Sequence, residues 1–248
     1  MIEYKIEEAI DEYRKNYTFS PYHEDVSLER VRKAIEHTNL KPTATPDDIV
    51  RLCLEAKENR VYGVCVNPCY VPLVRRELEN TNIRVVTVIG FPLGASDTRA
   101  KIHEARFAID AGADEIDMVL NIGMLKAKEW EYVYEEIRGV VEASPGKVVK
   151  VILETCYLTD EEKIAACVIS KLAGAHFVKT STGFGPHGAT VRDVHLMKWI
   201  VGEEMGVKAS GGIRTYEDAV EMIRYGATRI GTSSGHKIVK EGEEKHGS

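Results

Sequence analysis

Eight times along the chain, a short run rich in β-branched residues is followed by an amphipathic stretch of helical period, and this alternation excludes most folds. Parallel strands need a crossover connection, and a helix laid on the sheet is the usual one. The strand-like runs are Ala34 to Leu40, Val61 to Val66, Ile83 to Ile89, Asp114 to Leu120, Lys147 to Glu154, Ala175 to Thr180, Val207 to Gly211 and Thr228 to Thr232. Eight such strands can close on themselves, so the expected class is α/β, a single (β/α)8 TIM barrel. A doubly wound sheet competes with it, but no Gly-rich dinucleotide fingerprint follows the first strand.

The segments between the strands agree with that reading. Thr45-Pro46-Asp47-Asp48, Thr159-Asp160-Glu161-Glu162 and Thr215-Tyr216-Glu217-Asp218 resemble capping boxes at helix starts. Ile49, Leu52, Cys53 and Ala56 then share one helical face, as do Trp130, Val133, Tyr134, Ile137, Val140 and Val141. The repeated turns Ala111-Gly112-Ala113-Asp114, Ala173-Gly174-Ala175-His176 and Tyr225-Gly226-Ala227-Thr228 put a glycine at a helix end just before a strand. Ile2 to Tyr17 reads as an additional helix within an N-terminal extension, residues 1–20, expected to cover the bottom of the barrel. Residues 241–248 read as a flexible tail.

With 248 residues, 44% hydrophobic, and no Pro/Ser-rich linker, the whole chain is expected to form one barrel-sized domain. A net charge of -6 with mixed Lys, Arg, Glu and Asp offers no broad positive field, so nucleic acid is not an expected partner. The first residues are too charged for a signal peptide, and no apolar run approaches the ~20 residues of a membrane span, which points to the cytoplasm. The five cysteines, Cys53, Cys65, Cys69, Cys156 and Cys167, form no paired ligand doublets and read as reduced, small hydrophobes. His37 and His176 lie in strands and share no metal-binding spacing, so they read as core or rim histidines rather than ligands.

Three of the strands carry charge where apolar side chains belong: Asp117 in the fourth, Lys179 in the sixth and Lys208 in the seventh. An unpaired buried charge is costly, so the three are expected to share a site at the C-terminal end of the barrel, where strand ends meet their loops. A lysine is nucleophilic only when neutral, and its ordinary pKa of ~10.4 leaves almost none neutral at pH 7. A second ammonium about 5 Å away, at an effective dielectric of about 20, repels it by roughly 3 kcal/mol, or about two pK units. Such a lysine can attack a carbonyl while the aspartate moves protons, which is the logic of a Schiff-base aldolase. Lys150 and Glu154 lie two alternation steps apart on strand five and are expected to form a supporting ion pair.

Beside that trio, small-residue loops follow strands seven and eight: Ala209-Ser210-Gly211-Gly212-Ile213-Arg214 and Ile230-Gly231-Thr232-Ser233-Ser234-Gly235. Both can present backbone N–H groups to an oxyanion at the usual phosphate location of this architecture, and Thr180-Ser181-Thr182-Gly183 after strand six can extend the cradle.

These residues resemble the deoxyribose-phosphate aldolase family. The resemblance runs in order through Glu36-His37-Thr38, Cys65-Val66-Asn67-Pro68, Glu115-Ile116-Asp117, Leu153-Glu154-Thr155, Lys179-Thr180-Ser181-Thr182-Gly183, Lys208-Ala209-Ser210-Gly211-Gly212 and Gly231-Thr232-Ser233-Ser234. It implies reversible cleavage of 2-deoxy-D-ribose 5-phosphate to acetaldehyde and D-glyceraldehyde 3-phosphate, without a cofactor. Lys179 matches the family's Schiff-base lysine, Lys208 the neighbour that lowers its pKa, and Asp117 the acid/base aspartate. Gly183, Gly212, Ser233 and Ser234 match phosphate-loop positions. The chain departs from some relatives in lacking a C-terminal tyrosine and in placing Phe184 where they have a phosphate-binding lysine. The partner implied is a phosphosugar, with a homo-oligomer, dimer or tetramer, as the assembly. Two other functions use the same residues: an aldolase or transaldolase acting on another phosphosugar, and a phosphosugar-binding barrel without turnover.

Overall fold

The structure, a computed structural model, describes residues 1–23 and 25–246. Strands β1 (Ile35–Asn39), β2 (Gly63–Val66), β3 (Arg84–Ile89), β4 (Glu115–Val119), β5 (Val148–Ile152), β6 (Phe177–Lys179), β7 (Gly206–Ser210) and β8 (Arg229–Thr232) lie within the eight expected runs, apart from the one-residue earlier start of β7. All pair in parallel with their sequence neighbours, and β8 returns to β1, closing the barrel.

Around it run helices α1 (Ile2–Asn16), α2 (Leu28–Ala34), α3 (Pro46–Glu58), α4 (Val71–Glu77), α5 (Thr98–Asp110), α6 (Ile122–Lys126), α7 (Trp130–Glu142), α8 (Asp160–Leu172), α9 (Val191–Val201), α10 (Tyr216–Arg224) and α11 (Gly235–His246). The three capping boxes form as the sequence suggests. Thr45, Thr159 and Thr215 each accept the N–H of the residue three further on, whose carboxylate accepts the threonine's own N–H at 2.9, 2.8 and 3.0 Å respectively. At the end of α8, Gly174 takes φ 83°, a left-handed turn that a side chain would oppose.

Two expectations change. α1 packs on the outer helices α7 and α8 rather than under the barrel. Only Ile2 and Ile6 of this helix are buried, a stripe wide enough for an interhelical groove and too narrow to cap a floor. Tyr13 donates to Asp160 Oδ2 (3.1 Å) and Arg14 to Glu161 Oε1 (2.5 Å), tying its end to the start of α8. The floor is closed from within, where the Arg229 guanidinium stacks 3.6 Å from the Tyr62 ring centroid and 5.4 Å from that of Phe177. Residues 241–246, expected as tail, continue α11, where Val239 and Gly242 are buried; 247 and 248 lie outside the described residues.

Most of the apolar core lies in the annulus between strands and helices. A second, small apolar cluster of Leu40, Cys65, Val86 and Val88 has Phe91 packed against it. In register, the charged strand residues face one another: Lys179 pairs with Lys208, and Asp117 with Lys150.

Candidate active site

Alternation sends Glu115 and Asp117 of β4 to one face, with Phe177 and Lys179 of β6 to the matching one, and that face is the barrel interior. Asp117 is the hub. Its Oδ2 accepts from Lys179 Nζ at 2.8 Å and from Lys208 Nζ at 2.7 Å, and its Oδ1 accepts from Lys150 Nζ at 3.0 Å. Lys208 also donates to Glu36, and Lys150 pairs with Glu115 and, at 3.4 Å, with Glu36 Oε1. Three ammonium groups and three carboxylates, all essentially inaccessible to solvent, thus form one network.

The network divides the lysines. Burial pushes Lys179 below the ordinary lysine value; the Asp117 carboxylate opposes this, and the Lys208 ammonium adds to it. For Lys208, burial acts in the same direction, but Asp117 and Glu36 overcome it and hold the group well above its usual range. Lys150 is raised in the same way by Asp117 and Glu36. Burial alone would raise Asp117, yet three ammonium groups hold it well below the usual carboxylate range. Two lysines that share one carboxylate oxygen are therefore driven apart, and Lys179 is the one driven towards the neutral amine. Dehydration inside the barrel is a larger cause of that displacement than the Lys208 ammonium.

Lys179 opens on a cavity of about 640 Å³ at the C-terminal end of the barrel. Thr182, Gly183, Gly211, Gly212 and Ser233 line it, as the loop readings anticipated. Ser234 does not: its N–H is donated to Thr232 Oγ1 (2.9 Å) and its carbonyl accepts from Ile238 at the start of α11. Gly211 and Gly212 take φ of 86° and 81°, a backbone that L side chains rarely adopt. Ala189 N donates to the carbonyls of Ser210 and Gly211, both at 3.0 Å, tying the loop after β6 to the loop after β7. Phe184 stands at the cavity edge, half exposed, with its ring edge-on to Phe91 at 5.5 Å.

Sequence reasoning missed Glu36 and misassigned two further residues. Lys150 does not pair with Glu154; it belongs to the Asp117 hub. Glu154 has left the strand with φ 54°, and its carboxylate accepts from both the N–H (3.0 Å) and the hydroxyl of Thr182. It therefore pins the loop after Lys179. Alternation fails beyond Ile152 because the strand ends there, and no periodic signal marks that end. The buried Ser210 hydroxyl, also on the cavity wall, has no hydrogen-bond partner among the described residues and can serve a bound molecule.

With this geometry in place, the comparisons with known proteins are specific. A model of the DeoC/LacD family aldolases matches residues 30–241. The chain belongs to that family. It is 76% identical over 247 residues to a deoxyribose-phosphate aldolase of Thermotoga petrophila, covering 100% of both chains. Over 214 residues it is 59% identical to the deoxyribose-phosphate aldolase of Thermococcus kodakarensis, covering 85% of this chain and 96% of that one. Among solved structures, the deoxyribose phosphate aldolase of Aeropyrum pernix, described as tetrameric, superposes with a TM-score of 0.82 at 33% identity, covering 97% of this chain and 96% of the other.

Proposed function

We propose that the protein is a Schiff-base aldolase that reversibly cleaves 2-deoxy-D-ribose 5-phosphate to D-glyceraldehyde 3-phosphate and acetaldehyde, with Lys179 as the nucleophile. The observation that carries this reading is a lysine buried at the base of an open cavity, held by one carboxylate oxygen and displaced towards its neutral form. The neutral amine adds to the C1 aldehyde, and loss of water from the carbinolamine leaves an imine. Removal of the C3 hydroxyl proton then breaks the C2–C3 bond, and its electrons collect in the imine as an enamine. Protonation at C2 and hydrolysis release acetaldehyde.

We assign Asp117 to moving those protons through water and Lys208 to holding the charge beside it. Held so strongly ionised, Asp117 acts as an acceptor and anchor, while Lys208 keeps its proton and balances the charge as the Lys179 ammonium disappears. The glycine-rich loops at Gly183, Gly211, Gly212 and Ser233 support binding of the 5-phosphate through backbone N–H groups.

Trapping with borohydride tests this directly. Incubation with acetaldehyde or deoxyribose 5-phosphate should leave a reduced adduct on the peptide containing Lys179, and none in Lys179→Leu. An adduct on another lysine, or trapping only with a ketose phosphate, would reject the assignment.

We further infer that the chain acts as one folding unit in the cytoplasm and assembles as a homo-oligomer. Among the described residues no helix is long and apolar enough to cross a membrane, and the exposed Leu93 and Phe107 offer apolar surface for contact between copies. Light scattering of the purified chain reads the assembly.

A further inference from the structure

Outside the Asp117 hub, a cluster of side chains on the cavity wall is unused by the chemistry above. His37 comes from β1, Glu55 from α3 and His236 from the first turn of α11, three elements far apart in sequence. Glu55 Oε2 lies 2.7 Å from His37 Nε2 and 3.5 Å from His236 Nδ1. The candidate ligand atoms of the three residues all lie within 4.8 Å of one another. All three residues line the cavity that Lys179 opens on.

We propose that His37, Glu55 and His236 form a binding site for a divalent transition metal of the zinc class, set in the cavity wall with its remaining coordination position open to the cavity. A zinc ion about 2 Å from each of three ligand atoms spaces them roughly 3.3 Å apart, and the two observed separations from Glu55 bracket that distance. Two imidazoles and one carboxylate are also the donor set of zinc sites that keep a position for water or an exogenous oxygen. His236 Nδ1 is buried and has no hydrogen-bond partner among the described residues, so its coordination breaks no bond seen there. His37 is 1% exposed, so a metal there is held against the barrel wall by a ligand with little freedom to move. Binding displaces only the hydrogen between His37 and Glu55, and β1, α3 and α11 hold the ligands in place beforehand.

A purely structural role is the alternative, with Glu55 serving only as a hydrogen-bonded prop for His37. The metal-free chain, without any sugar present, is titrated with Zn²⁺ against a chromophoric chelator, and separately with Co²⁺ while its d–d absorption is read. The wild type should take up one equivalent and show four-coordinate Co²⁺ bands. His236→Leu and Glu55→Gln should each weaken binding about tenfold or more and abolish those bands, with the circular dichroism spectrum unchanged. His236 is the safer substitution because its side chain is 40% exposed. Lys179→Leu should bind the metal as the wild type does, so a failure of the Schiff-base reading would leave this result intact. Absence of saturable binding, or equal affinity in wild type and both variants, would overturn the site.

Discussion

Two buried lysines of this protein look alike by burial, partner and direction of pKa shift, and only one is built for chemistry. Lys101 of α5 and Lys179 of β6 are both buried, both pair with a carboxylate, and both are pushed below the ordinary lysine value chiefly by burial. Lys101 donates three hydrogen bonds, to Gly94 O (2.7 Å), Val119 O (2.9 Å) and Glu136 Oε1 (2.7 Å), so every proton of the ammonium has an acceptor. It packs against Gly90 and does not line the cavity that Lys179 opens on. Lys179 has one carboxylate oxygen as its partner, shared with Lys208, and faces open space. A lowered pKa therefore identifies a dehydrated lysine. Spare valence and access make it a nucleophile.

The largest expected effect separates the two. Lys179→Leu should reduce turnover by more than about 10⁴-fold while the variant folds, because no other group can form the imine. Lys101→Met should instead lose about 3–5 kcal/mol of stability by leaving Glu136 buried without a counter-ion, with kcat per folded molecule changed only a few-fold. Urea unfolding beside steady-state kinetics reads both. Comparable loss of kcat in the two variants would erase the distinction.

Next in size is Lys208→Leu. Removing that ammonium takes away a repulsion and leaves Asp117 to Lys179 and Lys150, so the Lys179 pKa rises on both counts. The acid limb of the kcat/KM profile should move to higher pH, with activity at pH 7 down by about tenfold or more. An acid limb that stays in place would show that Lys208 does not tune the nucleophile.

The two regions should also respond oppositely to acid. Asp117 and Glu36 have lowered folded-state values, so the stability they contribute is present above the unfolded carboxylate pKa of about 4 and is lost as pH falls through their folded values. Burial raises Glu136 instead, so it adds nothing to acid lability. Asp117→Asn should flatten the fall in unfolding free energy below about pH 4, and Glu136→Gln should leave that slope unchanged.

The smallest effect belongs to Phe184→Lys. An exposed cation at the cavity edge is worth up to about 1 kcal/mol to a phosphate, so KM for the phosphosugar should fall by about fivefold at most, with kcat unaffected. A rise in KM would show that the Phe91 contact matters more than added charge.

Much of this architecture is legible in the sequence. Lys179, Lys208 and Asp117 stand out because charge interrupts apolar strands, and strand alternation with closure of eight strands brings them to one face. Thr45, Thr159 and Thr215 are as legible, since a capping box is a contact across three residues. Glu36 carries the same strand charge, but its value depends on β1 closing against β8, which brings it to Lys208 from 172 residues away. Glu154 escaped because its role begins where the strand stops.

The sequence by itself determined the period of each segment, and hence the barrel, because periodicity is a property of neighbours along the chain. It also determined which strands carry charge. Only the tertiary structure decided that Lys150 joins Asp117, that α1 lies on α7 and α8, and that His37 meets His236 across Glu55. Those outcomes depend on which distant surfaces are dehydrated together, and burial energies are set by packing in three dimensions, with no trace in local pattern.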